Sequence, residues 1–257
     1  MLKAKNLNII GALMFFFGLS MIPSSLWSFF ASTSYSTSDK EFYDFIAIIK
    51  SAAIPIIFGL LLYILTKSIY KKNKTNNDLR AKDGFVIVTL GWIAIAVFGA
   101  LPFYFSSTPL SFTNAFFESM SGFTTTGASI LGDSSTYQIE ELSKGILFWR
   151  SFTHFIGGMG IIVFSIAILP MLGIGGVQLF RAEVAGPVAE KITPRVKQTA
   201  KLLWGIYVGF VLLQTLILKF EGMSWFDSLC HAFGTMATGG FSTKTASIAA
   251  FNSSLIC

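Results

Sequence analysis

Thr124, Thr125, Thr126, Gly127 and Ala128 form one short run rich in hydroxyls and unhindered carbonyls; Ala237, Thr238, Gly239, Gly240 and Phe241 form another. Neither run holds a carboxylate. Uncharged oxygen donors suit a monovalent cation that must bind weakly and leave quickly. A tight divalent site would want several Asp or Glu. Gly127 and Gly240 can take backbone angles closed to other residues, which lets successive carbonyls turn toward one axis. An isolated Thr-Gly run is normally only a turn. Here the runs end two longer matching segments, 111–129 and 224–242, set 113 residues apart. Aligned without a gap, Ser111/Ser224, Thr125/Thr238, Gly127/Gly240 and Ser129/Ser242 are identical. Each segment opens Ser-x-x-(Asn/Asp), continues as a short apolar stretch and closes on Thr and Gly. That order predicts a half-helix followed by an extended filter strand, an ion pathway.

The remaining reactive residues offer less. Glu118 and His231 occupy equivalent positions on the two predicted half-helices. An ionisable group inside a membrane is a functional hypothesis by default, but hydrogen bonding behind the filter is the simpler reading for both. Arg150 and His154 are four apart and share a helix face. They brace the filter, or Arg150 snorkels outward; the sequence leaves both readings open. Gly157, Gly158 and Gly160 read as small residues where helices pack closely. The Gly173, Gly175 and Gly176 cluster reads as a helix end, not a phosphate loop. Cys230 and Cys257 give no disulfide framework. No metal-ligand spacing or nucleophile–base pair is visible.

The elements that must position these residues are membrane helices. The 257-residue chain is 12% charged with a mean hydropathy of +0.66, about half the charge of a soluble domain. Five stretches reach the roughly 20 apolar residues that a spanning helix needs: 7–30, 45–66, 85–105, 145–172 and 200–218. The first exceeds the h-region of a signal peptide and lacks a small-x-small cleavage site. With the N-terminus inside, 13 Lys and Arg fall in cytoplasmic segments, whereas only Lys40, Lys144, Lys219 and Lys244 fall outside. The net charge of +6 is therefore topological and no nucleic acid is expected as partner. Acids in the outer segments, Asp39, Glu41, Asp44, Glu140 and Glu141 among them, could concentrate cations at a pore mouth.

The segment 112–123 is too apolar for a solvated loop and too short to cross, so it is expected to re-enter the membrane. Non-helical backbone at that depth is tolerated where it lines a water-filled cavity, which places 124–129 on a pore. The segment 225–236 repeats the device. Ser224 and Asp227 have capping-box spacing, with Ser111 and Asn114 at the matching place. Each half-helix would aim its partially negative C-terminus at the filter, favouring a cation.

These residues resemble the membrane subunit of the Trk/Ktr/HKT superfamily of potassium transporters, specifically the bacterial Trk type. The likeness rests on 112–129, on 147–163, on 179–204 with its Ile192, Thr193, Pro194 and Arg195, and on 233–243, and runs from about Asn8 onward. It implies an all-α polytopic membrane protein of tandem span, pore-helix, filter and span units, potassium-channel-like, with four units around one pore. The expected organisation is two extra N-terminal helices over 1–83, a first pore-loop unit over 84–172, a cytoplasmic linker over 173–199 and an incomplete second unit over 200–257. The resemblance further implies potassium uptake with no cofactor, a homodimer, a gating cytoplasmic nucleotide-binding ring, and a bacterial cytoplasmic membrane location. It assigns the filter to Thr124 through Ala128 and Ala237 through Phe241, with Glu118, Arg150 and His231 in support. The family has four units, so the chain reads as a truncated part of a longer protein.

Two alternatives accompany that reading. A sodium-permeable relative is one, although glycine at 127 and 240 favours potassium, since a serine in the first filter is the sodium-leaning substitution in this superfamily. A non-transport polytopic membrane protein with coincidental repeats is the other. An enzyme would have to build its site around His154 and His231, which nothing pairs.

Overall fold

The computed structural model describes residues 4–33, 38–72, 81–132, 138–168 and 192–251, and every regular element among them is a helix. The predicted helix end at 173–176, the motif at 179–191 and the residues 252–257 lie outside the described residues. By length and composition, four described segments can cross a membrane: Ala4–Ser32, Asp39–Lys67, Asp83–Phe105 and Gln198–Phe220.

The first span is made of two helices. Helix α1 (Ala4–Ser20) meets α2 (Ile22–Ser32) at Met21. Pro23 has no N–H to bond back across that join. Helix α3 (Ser38–Lys72) is 35 residues long, well beyond the predicted 45–66. Its polar ends continue the helix out of the apolar zone, since about 52 Å of helix exceeds the roughly 30 Å of hydrocarbon. Helices α1 and α3 cross at paired glycines. A Cβ on Gly11 would stand 2.8 Å from the Gly59 carbonyl oxygen, and one on Gly59 2.6 Å from that of Gly11. Lipid supplies no hydrophobic drive between helices, so such close approach is what holds them. Asn8 Nδ2 adds bonds to the Tyr63 carbonyl (2.9 Å) and Thr66 Oγ1 (3.1 Å).

Helices α4 (Ala81–Gly99) and α5 (Leu101–Phe105) make the third span, jointed at Ala100 just before Pro102. Then comes α6 (Phe112–Phe123), 12 residues and about 18 Å, too short to cross. Helix α7 (Lys144–Ile168) carries the fourth predicted span as far as the description reaches; 169–172 lie beyond it. Helix α8 (Ile192–Phe220) begins inside the stretch expected to be linker. Pro194 falls in its first turn, where its missing N–H costs nothing. A second 12-residue helix, α9 (Trp225–Met236), follows.

Helix α7 is the hub that fixes both short helices. Trp149 is fully buried and donates from Nε1 to the Gly99 carbonyl at 3.0 Å, while its ring meets those of Phe17 and Phe123. Phe148, Phe152 and Phe155 line the face that packs on Phe233 of α9. Two adjacent glycines then admit both half-helix ends. A Cβ on Gly157 would collide with the Phe123 carbonyl, and one on Gly158 would stand 3.1 Å from the Ala237 Cβ. The glycine cluster predicted to serve close packing does so.

Candidate functional site

The two short helices begin alike. Ser111 caps α6 by accepting from the Asn114 N–H (3.3 Å), and Ser224 caps α9 by accepting from the Asp227 N–H (3.0 Å). The expected full capping box is not what forms. The Asp227 carboxylate instead accepts from Ser224 Oγ (2.7 Å) and Thr243 Oγ1 (2.6 Å), because the returning strand brings Thr243 within reach.

They also end alike. Thr125 N–H bonds the Gly122 carbonyl and Thr238 N–H bonds that of Thr235, both at 3.0 Å. The next turn closes with Thr126 N–H to Ser121 (3.0 Å) and Gly239 N–H to Gly234 (2.8 Å). Thr125 (φ 55°) and Thr238 (φ 57°) are both left-handed, as are Gly127 (φ 73°) and Gly240 (φ 92°). For a β-branched residue that conformation is an outlier, costing about 1–2 kcal/mol. Its recurrence at matched positions marks a backbone path set by something other than local preference. Glycine meets the same demand at no steric cost.

Behind each strand stands the predicted ionisable residue, and each holds the same serine. Ser129 Oγ donates to Glu118 Oε1 at 2.8 Å; Ser242 Oγ bonds His231 Nε2 at 2.9 Å. Each serine oxygen also accepts a backbone N–H two residues on, from Leu131 and from Lys244, both at 3.0 Å. The sequence puts Ser129 on the pore with the rest of 124–129, and Ser242 at the end of the matching strand; both hydroxyls instead turn back to the half-helices. Arg150 and His154 are buried, at 2% and 0% exposure. The snorkelling reading of Arg150 fails on geometry: its Nε donates to Glu118 Oε1 (2.6 Å) and its Nη1 to the Ser242 carbonyl (2.8 Å). Among the described residues neither ring nitrogen of His154 has a hydrogen-bond partner; its ring stacks on Phe241 with centroids 4.2 Å apart.

The two strands meet. A Cβ on Gly127 would overlap the Gly239 carbonyl oxygen, so the first strand runs against the second at that point. Ala128 and Phe241 differ from the other strand residues. The Ala128 carbonyl accepts from Ser121 Oγ at 2.6 Å, and the Phe241 carbonyl lies 3.1 Å from where Gly234 would carry a Cβ. Both carbonyls face back toward their half-helices.

Four of the predicted outer acids gather on one side. Asp39, Glu41, Glu140 and Glu141 line a cavity of about 920 Å³ together with Asp227, but Lys40, Lys144 and Lys244 line it too. Asp44 is elsewhere, accepting from the N–H (2.5 Å) and hydroxyl (3.0 Å) of Ser107. Glu140 joins the units outside the membrane, accepting from Thr245 N (2.8 Å) and Oγ1 (2.6 Å). Those bonds, the hydroxyl first, hold its carboxyl below the usual carboxylate range.

Comparison with known proteins fits these features. The family profile of TrkH, described as a cation transport protein, matches residues 50–257. The potassium uptake protein TrkH of Vibrio parahaemolyticus is 44% identical over 206 residues, 79% of this chain and 41% of that protein. TrkH of Halomonas elongata is 40% identical over 253 residues, 97% of this chain and 48% of its own length. The crystal structure of the potassium transporter TrkH from Vibrio parahaemolyticus superposes with a TM-score of 0.78 at 34% identity, covering 98% of this chain and 47% of that one. The chain thus spans about half the length of the relatives it matches. With the matched region covering most of its sequence, the chain belongs to the TrkH family of cation transport proteins, and is a multi-pass membrane protein.

Proposed function

We propose that the chain supplies two walls of a potassium-selective pore in a protein that takes up potassium across the bacterial cytoplasmic membrane. The carrying observation is the pair of half-helix and strand units whose backbones repeat, left-handed residues included, and whose strands touch at Gly127 and Gly239. Each half-helix ends where its strand begins, so the negative end of its dipole favours a cation there. Thr124, Thr125, Thr126 and Gly127 form the first wall, and Ala237, Thr238, Gly239 and Gly240 the second. Their carbonyls replace the hydration shell of the ion. Ala128 and Phe241 anchor those walls to the half-helices, and Glu118, Arg150 and His231 support them from behind. The names of the relatives point to potassium as the cargo.

In this reading α1 to α3 are the extra N-terminal helices, α4 to α7 the first unit, and α8 with α9 the opening of the second. The N-terminus is cytoplasmic, following the Lys and Arg distribution. The assembly is a homodimer with a cytoplasmic nucleotide-binding ring as regulator. The test is growth. The full-length protein should restore growth on low potassium to a bacterial strain lacking its own uptake systems. Rescue of sodium accumulation without potassium-dependent growth would overturn the potassium assignment.

A further inference from the structure

Arg150 links both filter strands from one position on α7, the second directly and the first through Glu118. Its Nε reaches Glu118 Oε1 at 2.6 Å, and Glu118 in turn holds Ser129 Oγ (2.8 Å) and the Ile130 N–H (3.2 Å) of the first unit. Its Nη1 reaches the Ser242 carbonyl of the second unit at 2.8 Å. The guanidinium carbon lies 3.8 Å from the centroid of Phe241, the residue next to Gly240. Glu118 is fully buried and Arg150 nearly so. A charged pair inside a membrane protein is expensive and marks function more often than stability. The shape of the contact set requires arginine. A guanidinium donates in several fixed directions at once and also stacks on a ring, whereas an ammonium is a single point charge.

We propose that Arg150 is a positioning residue that ties the two walls into one unit, so that ion discrimination at the second wall depends on the carboxylate behind the first. The inference rests on the filter reading above. Without the tie, the two fasteners behind the strands, Ser129 with Glu118 and Ser242 with His231, are not linked to each other. With it, a shift of Glu118 moves the Ser242 carbonyl and the Phe241 ring beside Gly240. Electroneutrality fits the role, since Glu118 cancels the guanidinium charge that would otherwise repel a cation at the filter.

The test compares potassium and sodium flux through the full-length transporter at equal membrane expression. Arg150→Lys keeps the charge and loses the fork; it should lower the potassium-to-sodium flux ratio by about tenfold, the scale of one lost charge-assisted bond. The double variant Glu118→Gln with Arg150→Met leaves no lone buried charge, and should assemble with the same loss of discrimination. In the Arg150 protein, Glu118→Gln and Phe241→Leu should change the logarithm of the ratio non-additively; in the Arg150→Lys background they should add. A purely stabilising residue would lower expression and leave the ratio alone. Normal ratios in both Arg150 variants, or additive effects with Arg150 present, would sink the proposal. Gly127→Ser separates the two claims. If it alone lowers the ratio, the tie is wrong and the filter stands; if it too leaves the ratio unchanged, the filter reading itself fails.

Discussion

The first half-helix and strand, 111–129, and the second, 224–242, follow one backbone path with four residues in common. The path is set by a capping serine, a left-handed Thr and Gly pair, and a terminal serine fastened from behind. The fasteners are free to differ. Glu118 does in the first unit what His231 does in the second, because a serine hydroxyl can be held by any acceptor of the right reach and needs no particular charge. Side chains that build the path are retained, and those that merely satisfy it vary. The charged fastener nevertheless acquires something the neutral one lacks, a bond to Arg150 and through it to the other unit.

The sharpest break in that comparison lies at the matched glycines. Sequence alone makes Gly127 and Gly240 equally sensitive. The structure separates them. A Cβ on Gly127 overlaps the Gly239 carbonyl, whereas one on Gly240 meets nothing within 4 Å among the described residues. Gly127→Ala must displace the neighbouring strand and should reduce potassium flux about a hundredfold, as misplaced coordinating groups do. Gly240→Ala faces only the left-handed backbone, about 1–2 kcal/mol of strain, and should reduce flux about tenfold or less. Equal losses, measured at equal expression in the full-length protein, would mean the strands do not meet as described.

A smaller separation is expected behind the strands. Glu118→Gln leaves the buried guanidinium of Arg150 without its counter-charge, a loss of about 3–5 kcal/mol. His231→Gln exchanges one neutral hydrogen-bonding group for another, about 1 kcal/mol. Thermal unfolding of the purified full-length protein should therefore fall much further for Glu118→Gln. Indistinguishable melting shifts would show that the two fasteners are equivalent and that the bond to Arg150 adds nothing.

Much of this was legible in the chain. The bounds expected for the half-helices, 112–123 and 225–236, are those observed, because serine caps and Thr-Gly strands punctuate them on both sides. The spans were legible in position but not in extent: α3 and α8 run on through polar residues that hydropathy leaves out, since a helix does not stop where the lipid does. Three things were hidden, two of them because they depend on distant parts of the chain meeting. The Arg150 bond to Ser242 joins residues 92 apart, and the local pattern permitted snorkelling equally well. The overlap at Gly127 depends on where the other strand lies. Left-handed Thr125 and Thr238 contradict intrinsic preference, so no single-residue tendency could announce them.

The smallest expected effect tests whether the units are also tied outside the membrane. Glu140, in the short 3-10 turn Ile139–Glu141 after the first strand, accepts from the N–H and hydroxyl of Thr245 after the second. Those bonds hold its carboxyl below the ordinary value of 4.5, with the Thr245 hydroxyl the largest cause. A depressed carboxyl contributes stability above its unfolded value and loses it as pH falls through the folded one. The tie is therefore intact at neutral pH and loosens only once the medium is more acidic than that ordinary value. Glu140→Gln removes the charge and with it this dependence. The melting temperature of the unmodified protein should exceed that of Glu140→Gln slightly at neutral pH, the gap closing as the pH falls below the ordinary carboxylate value and through the lowered one. The gap should also shrink in high salt, because the group is exposed and its charge is screened. A gap that persists unchanged into acid would mean that the hydrogen bonds, and not the ionised carboxylate, carry the tie; a gap that widens in acid would reverse the sign and rule it out.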